Sequence, residues 1–540
     1  MKGYGGRSDA KTRAGRNVPN VKGEGASRYE RARAPWHRNP VTIALVGNTE
    51  QPVDAGAVAR AVSWMGAGHV VSQILWFGSL LILATLVPPS SFGTFTAGWV
   101  IVAVALLFME SGTRGSLIVS RELTVRRIRG ATLRITALGV ALAGTLALLS
   151  GPIVSTVAIS GDASVLRALS ATVALTALAV VPLALLQRQL QFRRHTIAIL
   201  AATIPASVLA IAAGLLGAGV WALVVRQTAY TALVCGFAWF AVRDLVADLA
   251  ATTEPTKPAL TRRGGAGWFL ALAVGSFVAF NVDYIVVGNS TDAGQLGLYS
   301  LAFMLAFAPL TNVSWKLGTV LFPAAAATSD VGATGRRTLR ALRLLALMLL
   351  PLLSPAVALA PWLLPWALGE AWEDMVQPFQ ILVVAGIGQA LVNILGESLS
   401  GTGHIALHAW LQALMCVLLV PALVVLVELD GIRGAALAHL IVLVPVAALY
   451  WTLGGRRLGL RPLAVGSALR DVALPVAVQA GTTLITAVAL AQAGVEDAVA
   501  AAVGAFAGAL ALVAGLRASS WSPWDEARGL FYAALGRTSA

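Results

Sequence analysis

The chain has 540 residues, of which 57% are hydrophobic and 12% charged, and its formal net charge is +14. A soluble domain usually carries about 25% charged residues, whereas this sequence repeats apolar stretches of about 20 residues, the length that crosses a hydrocarbon core. Eleven of the 39 Lys and Arg residues lie between Lys2 and Arg60 without an aromatic-rich basic repeat. This pattern predicts anionic lipid headgroups, and no nucleic acid, as the partner of the tail.

The hydrophobic pattern predicts the elements in chain order. Residues 1–60 are rich in Gly, Arg, Lys and Pro, which is typical of a disordered tail. Fourteen apolar stretches joined by short loops then predict an all-α polytopic membrane protein with about fourteen transmembrane helices. The helices are predicted at 62–87, 94–113, 133–157, 166–186, 196–217, 219–242, 267–288, 297–321, 344–367, 378–400, 405–428, 434–454, 472–493 and 497–516. Ser522 at the N-cap and Pro523 at N1 predict a last, amphipathic helix that lies on the membrane surface.

The distribution of positive charge predicts the orientation. Outside the N-terminal tail, twenty-four Lys and Arg residues fall in loops on the side of the N-terminus. Two residues, Arg167 and Arg433, fall on the other side, and Arg226 and Lys316 lie within spans. Because cytoplasmic loops carry the excess of Lys and Arg, we expect a multi-pass protein of the bacterial plasma membrane with both termini in the cytoplasm.

Short motifs recur at an offset of about six helices. Residues 92–95 (FGTF), at the start of the second span, resemble residues 296–299 (LGLY), at the start of the eighth. Residues 219–223 (GVWAL) weakly resemble 434–437 (GAAL), at the sixth and twelfth spans. Two parallel six-helix repeats followed by two extra helices form a transporter architecture. The expected domains are a tail (1–60), a six-helix lobe (61–243), a cytoplasmic linker (244–266), a second six-helix lobe (267–455), two extra helices (456–516) and a cytoplasmic amphipathic tail (517–540).

Several segments between residues 62 and 516 resemble one family of membrane transporters. These segments are 89–95 (PSSFGTF), 110–112 (ESG), 184–194 (ALLQRQLQFRR), 281–288 (NVDYIVVG), 297–302 (GLYSLA), 321–323 (LFP) and 368–372 (LGEAW). Taken together, they resemble the polysaccharide-transporter family, the lipid-linked oligosaccharide flippases of the multidrug/oligosaccharidyl-lipid/polysaccharide exporter superfamily. The long basic N-terminal tail departs from the pattern of that family.

The resemblance implies two six-helix lobes around a central cavity that is lined by the first, second, seventh and eighth spans. It implies a flippase that moves polyprenyl-diphosphate-linked saccharides from the cytoplasmic to the outer leaflet by alternating access, for cell-surface polysaccharide and lipopolysaccharide biosynthesis. Glycosyltransferases or a polymerase would be its protein partners. Two alternatives stay open. One is a cation-coupled small-molecule exporter of the same superfamily, and the other is an integral-membrane polysaccharide polymerase or glycosyltransferase, for which the outer loops are short.

A polar cavity for a diphosphate needs cations inside the membrane, where charges are costly and therefore mark functional sites. Arg226, in the sixth span, is the first candidate for substrate binding; it would otherwise pair with a buried carboxylate or with helix carbonyls. Lys316, in the eighth span, either lines the cavity or snorkels towards the cytoplasmic surface. Asn312 precedes Lys316 by four residues and shares its helix face, which favours a polar lining.

Four further side chains are candidates for ion coupling or for lining the cavity. Asp283, in the seventh span, is either a buried ion-pair partner or a protonatable coupling residue. Glu110 is followed four residues later by Arg114, a spacing that also fits a local salt bridge. Glu397 ends a ladder with Gln389 and Asn393 that either lines the cavity or joins two helices. His69, in the first span, is a proton switch or a helix contact.

The sequence contains none of the motifs of the common catalytic sites. It has no G-x-x-x-x-G-K-[ST] phosphate-binding loop, no H-E-x-x-H pair and no nucleophile elbow. We therefore expect no enzyme, no cofactor, no metal and no catalytic residue. Transport would then be passive, coupled to an ion gradient, or driven by consumption of the product.

Overall fold

The computed structural model describes residues 55–119, 125–157, 161–189, 191–251, 266–326 and 330–518. Fourteen long helices follow one another in these ranges. They are α1 (Ala55–Leu86), α2 (Pro89–Val119), α3 (Val125–Leu148), α4 (Ala163–Arg188), α5 (Phe192–Leu215), α6 (Val220–Ala251), α7 (Ala266–Ser290), α8 (Ala293–Ala326), α9 (Val331–Leu368), α10 (Val376–Gly401), α11 (405–429), α12 (432–449), α13 (Pro462–Gln492) and α14 (Asp497–Ala518). Four short helical segments lie between or after them: Ser150–Val157, Glu370–Met375, Tyr450–Gly454 and Gly455–Arg457.

The α11–α12 hairpin turns at two residues. Asp430 and Gly431 depart from helical geometry, and Gly431 has a φ of 53°, a left-handed value that glycine adopts without steric cost. A methyl group on Gly434 would meet the backbone of Leu426 and Val427. Residues eight apart lie about 12 Å apart in one straight helix, so this contact means that the chain reverses direction between α11 and α12.

The fold class expected from the sequence is confirmed. Eleven helical stretches of the described residues are long and apolar enough to cross a membrane by length and composition. One of them, Ile405–Arg457, contains both α11 and α12, and two shorter apolar segments, Val70–Leu86 and Ala293–Phe307, belong to α1 and α8. The predicted fourteen spans therefore each have a helix in the structure.

Several predicted helix ends are wrong, because the helices continue past their apolar stretches. The clearest case is α9, which was predicted to begin at residue 344 and begins at Val331. Asp330 caps its start by accepting a hydrogen bond from the N–H of Gly332 (2.8 Å). Arg343, in the added turns, lies 3.7 Å from Asp471 of α13. Polar, arginine-rich turns thus extend the helix beyond the apolar segment.

Other extensions alter the predicted domain limits. Helix α1 begins at Ala55, inside the predicted tail, and α6 ends at Ala251, inside the predicted linker 244–266. The predicted disordered tail before residue 55, the rest of the linker up to residue 265 and the amphipathic helix after residue 518 lie outside the described residues. They stay predictions.

Two large core clusters organise the bundle. One lies within the first half of the chain and joins buried side chains of α2, α3, α4 and α6, such as Val102, Ile135 and Val173. The other fills the second half, α7 to α12, and extends to the end of α1 and the start of α2. Helices α13 and α14 pack on each other and on α9, for example through Val472 beside Ala346. The two halves contact each other mainly through α1 and α2 on one side and α7, α8 and the segment after α9 on the other.

Candidate functional site

The starts of α2 and α8 meet at one end of the bundle, which we name the closed end. A methyl group on Gly93 would overlap the carbonyl of Ala293, and a methyl group on Gly297 would overlap the carbonyl of Pro89. Gly93 follows Pro89 by four residues in α2, and Gly297 follows Ala293 by four residues in α8. Each helix therefore places its glycine against a carbonyl of the other helix, and the contact is reciprocal. These glycines belong to the two repeated motifs of the sequence. The repeat therefore corresponds to a contact in which two helix backbones touch directly.

A tryptophan from the second half completes the closed end. Trp372, in the short helix after α9, is 1% exposed. Its indole N–H donates a hydrogen bond to the carbonyl of Ala84 in α1 (2.9 Å). Its ring meets Phe92 of α2 edge to face, with the ring centroids 5.2 Å apart. Because a buried indole needs a partner for its N–H, Trp372 fixes the second half against both α1 and α2.

A cavity of about 80 Å³ lies next to the closed end, mostly within the first half, with Met304 of α8 on its wall. Its walls come from α1, α2, α6 and α8. The lining residues are Trp76, Leu80, Phe92, Phe95, Thr96, Trp99, Leu223, Arg226, Gln227 and Met304. This volume is smaller than the roughly 300–1,000 Å³ of small-molecule sites, so the cavity must widen to hold a larger ligand. The wall is mainly aromatic and apolar, with one cation, one amide and one hydroxyl.

Arg226 provides the positive charge of this cavity. The guanidinium donates a hydrogen bond from Nη2 to the carbonyl of Trp76 in α1 (2.7 Å), and its Cζ lies 4.5 Å from the centroid of the Trp76 ring. Within the part of the chain that the structure describes, no carboxylate lies within 4 Å of this guanidinium. The sequence allows two structural partners for Arg226, a buried carboxylate or helix carbonyls, and the structure contains the contact with a helix carbonyl. Since this contact uses few of its five N–H donors, the remaining donors can bind an anion in the cavity.

Asp283 lies in a separate, fully buried cluster. Its carboxylate accepts hydrogen bonds from the hydroxyl of Tyr299 in α8 (2.8 Å) and from the N–H of Tyr284 (3.0 Å). The Nε2 atom of His439 in α12 lies 3.4 Å from the same carboxylate and has no hydrogen-bond partner of good geometry. The rings of Phe303 and Phe307 cover the imidazole. The cluster connects three helices of the second half just behind the α2–α8 contact.

The predicted polar ladder of α10 joins two helices. The side-chain amide of Gln389 donates to the side-chain oxygen of Asn393 (3.0 Å), and the amide of Asn393 donates to the hydroxyl of Ser314 in α8 (3.3 Å). The side chain of Glu397 lies over Gly318 of α8, whose added Cβ would meet it. Of the two roles expected for this ladder, the contacts favour the connection between α8 and α10.

The remaining predicted residues lie apart from this cavity or cannot be described. Lys316 is exposed on α8, twenty-three residues after the helix begins, whereas Arg226 lies six residues after the start of α6. At 1.5 Å per residue the two cations differ in depth by about 25 Å. The side chains of Asn312, Glu110 and His69 fall outside the described ones, so their roles stay predictions.

Several residues of the site were missed in the sequence. His439 and Tyr299 complete the Asp283 cluster, and Phe95 and Trp99 line the cavity. A histidine inside the apolar twelfth span was a signal that could have been used, because ionisable residues inside spans are rare. The two rings lie four residues apart on α2, a spacing that places them on one face.

Comparison with known protein families identifies the family to which the chain belongs. A family model described as "Polysaccharide biosynthesis protein" matches residues 82–377, which is more than half of the chain. The chain belongs to this family of polysaccharide biosynthesis proteins. The resemblance stated from its motifs is thereby confirmed.

Two named proteins of polysaccharide biosynthesis resemble the chain at low identity. The lipopolysaccharide biosynthesis protein WzxC of Escherichia coli (strain K12) is 24% identical over 389 residues, which cover 70% of this chain and 77% of WzxC. The succinoglycan biosynthesis transport protein ExoT of Rhizobium meliloti (strain 1021) is 23% identical over 271 residues, 50% of this chain and 54% of ExoT.

The fold of the polysaccharide biosynthesis protein also has a counterpart among solved structures. The lipid II flippase MurJ, in an inward closed conformation, superposes with a TM-score of 0.63 over 88% of this chain and 99% of MurJ. The identity is 10%, so the likeness concerns the fold alone.

Proposed function

We propose that this protein is a flippase, which moves polyprenyl-diphosphate-linked saccharides from the cytoplasmic to the outer leaflet of the bacterial plasma membrane by alternating access. The observation that carries the proposal is the cavity next to the closed end, in which Arg226 lies among aromatic walls. The family, the lipopolysaccharide biosynthesis protein WzxC and the succinoglycan biosynthesis transport protein ExoT support a transporter in cell-surface polysaccharide biosynthesis rather than an enzyme.

The loop charges indicate how the protein is oriented in the membrane. Arg336, Arg343 and Arg456 lie at the end opposite the starts of α2 and α8, so the rule that basic residues stay inside assigns the closed end to the outer face. Both termini are then cytoplasmic. The structure corresponds to a state closed on the outside, which is the state that must accept a substrate from the cytoplasmic leaflet. The basic tail before residue 55 would contact anionic headgroups of the same leaflet.

The cost of moving a diphosphate through the hydrocarbon core explains the role proposed for Arg226. The prenyl tail stays in lipid, but a diphosphate that crosses about 30 Å of hydrocarbon needs a cation and a polar path. Guanidinium groups bind phosphate oxygens through paired, charge-assisted hydrogen bonds. In this proposal Lys316 meets the diphosphate near the cytoplasmic mouth, and Arg226, about 25 Å deeper, holds it beneath the outer closure.

The Asp283 cluster supplies the coupling. An ionised carboxylate without a counter-charge is very costly inside an apolar environment, and the recorded neighbours of Asp283 are Tyr284, Tyr299 and His439. Asp283 is therefore the candidate for ion coupling, because its buried carboxylate faces the imidazole of His439 and the hydroxyl of Tyr299. Because Tyr299 follows Gly297 by two residues, a change at Asp283 reaches the α2–α8 contact directly. We infer that a proton, rather than Na⁺, couples transport to the membrane gradient.

Asp283→Asn is expected to uncouple transport and leave the protein folded. The amide keeps an oxygen that can accept the hydrogen bond of Tyr299, but it cannot take up a proton. In inside-out vesicles, an imposed pH gradient should accelerate saccharide translocation in the wild type and have no effect in the variant. Asp292→Asn, at an exposed cap that accepts a hydrogen bond from the N–H of Gln295, is the matched control and should keep the response. Acceleration by a Na⁺ gradient alone would contradict the inference.

Depletion of the protein in its host tests the proposed function. The prenyl-linked saccharide should accumulate in the cytoplasmic leaflet, where a membrane-impermeant glycosidase digests it in inside-out vesicles and not in intact cells. Reporters fused to the two termini establish the orientation in the same cells, and both should report the cytoplasm. An unchanged distribution of the saccharide between the leaflets would overturn the proposal.

A further inference from the structure

Two aromatic rings of α2 face the cavity in the same orientation. Phe95 and Trp99 lie one turn apart, their planes differ by 5°, and their centroids are 6.3 Å apart. Both side chains are half-buried and line the cavity. Of the other two rings of the lining, Phe92 packs against Trp372 and Trp76 is covered by the guanidinium of Arg226. Phe95 and Trp99 therefore supply the aromatic faces that a ligand beside Arg226 would meet.

Two uncharged polar side chains line the same cavity as these rings. Thr96 follows Phe95 on α2, and Gln227 follows Arg226 on α6; both line the same cavity. The amide of Gln227 makes one long hydrogen bond to the hydroxyl of Thr231 (3.4 Å), so its carbonyl oxygen and second N–H are available to a ligand. The lining residues include a guanidinium and no carboxylate.

This combination matches a sugar ring better than a prenyl chain. A pyranose presents C–H groups on its face and hydroxyl groups around its edge, so an aromatic face covers the first while an amide and a hydroxyl bind the second. An isoprenoid would leave Thr96, Gln227 and Arg226 without partners, and unsatisfied polar groups are costly in a ligand complex.

We propose that Phe95, Trp99, Thr96 and Gln227 form the subsite for the sugar attached to the diphosphate. The subsite rests on the proposed function, because Arg226 must hold the diphosphate for the next sugar to reach the rings. Phe95 and Trp99 determine affinity for the sugar, and Arg226 determines affinity for the diphosphate.

Titration calorimetry of the full chain in lipid nanodiscs separates the two roles. The probes are farnesyl diphosphate and farnesyl diphosphate linked to glucose. In the wild type, glucose should strengthen binding about tenfold relative to farnesyl diphosphate, in line with the strength of aromatic contacts. Trp99→Leu and Phe95→Leu should remove the gain from glucose and leave the binding of farnesyl diphosphate unchanged.

Controls distinguish failure of the subsite from failure of the proposed function. Trp366→Leu, at a tryptophan of α9 that is 62% exposed, should alter no affinity. Unchanged binding of farnesyl diphosphate also reports that the Phe95 and Trp99 variants are folded. Equal affinity for farnesyl diphosphate with and without glucose in the wild type would overturn the subsite alone. No binding of farnesyl diphosphate, or binding that does not depend on Arg226, would overturn the function on which it rests.

Discussion

Arg226→Ala is expected to abolish translocation of the lipid-linked saccharide while the protein stays folded and inserted. The change removes the charge-assisted hydrogen bonds to the diphosphate, each worth about 1.5–3 kcal/mol, or more than tenfold in affinity. Within the structure it removes one hydrogen bond to the carbonyl of Trp76. That carbonyl still accepts a hydrogen bond from the hydroxyl of Ser79 (2.9 Å), so no backbone group is left unpaired. Complementation and thermal unfolding in detergent measure the two effects separately.

Two further variants identify the cause of the loss. Arg226→Lys keeps the charge and loses the planar fork that matches phosphate oxygens, so partial transport is expected. Arg167→Ala is the matched control, because the guanidinium of Arg167 also contacts a helix carbonyl, that of Ala147, and the hydroxyl of Ser150, outside the cavity. Transport by this variant should be unchanged.

A structural role for Arg226 would give a different result. Breaking a buried ion pair leaves an uncompensated charge and destabilises a protein by about 3–5 kcal/mol. Asp283, the carboxylate that could have formed such a pair, contacts Tyr299 and His439 instead. An Arg226→Ala variant that unfolds easily and regains stability with Asp283→Asn would therefore refute the role in substrate binding.

The helices could be predicted from the sequence because lipid requires apolar stretches of a fixed length. Their ends could not, since the helix continues into water where hydropathy gives no signal. At α9 the added turns contain Arg336 and Arg343, which pair with Asp330 and Asp471. Asp330 is adjacent to the helix start and its capping role could have been recognised, whereas Asp471 belongs to α13 and its contact needs the tertiary structure.

In the candidate site, too, some features could be predicted from the sequence and others need the tertiary structure. Arg226 could be identified from the sequence, because a charge inside a span has few structural explanations. Its contact with Trp76 could not, since α1 and α6 lie 150 residues apart. The same holds for Asp283, whose neighbour His439 comes from α12. Sequence alone thus identified single ionisable residues, and the packing of distant helices determines which of them form one site.

Gly93→Ala and Gly297→Ala are expected to open the closed end and to stop transport. Each methyl group would overlap a backbone carbonyl of the opposite helix, and a carbonyl of a packed helix cannot move aside as a flexible side chain can. Helices α2 and α8 must separate, at a cost of about 1–3 kcal/mol. A change of this size shifts a two-state equilibrium roughly five- to 150-fold away from the outward-closed state.

Cysteine labelling measures this shift. Thr96 lines the cavity beneath the closure and is 5% exposed. In a background where Cys235 and Cys416, the two natural cysteines, are replaced by alanine, Thr96→Cys should resist a membrane-impermeant maleimide added from outside. The Gly93→Ala or Gly297→Ala change should make it reactive. Gly144→Ala and Gly236→Ala, where an added methyl group meets nothing within 4 Å, are the matched controls and should leave Thr96→Cys protected.

The reciprocal geometry makes a sharper prediction for the double variant. Once one methyl group has separated α2 from α8, the second methyl group enters space that is already open. The effect of the double substitution should therefore be smaller than the sum of the two single effects, as expected for sites that share one contact. The labelling rate of the Gly93→Ala/Gly297→Ala protein should therefore be close to that of either single variant. Fully additive rates would mean that the two glycines act at independent places, and unchanged protection in all three variants would mean that the α2–α8 contact does not close the outer face.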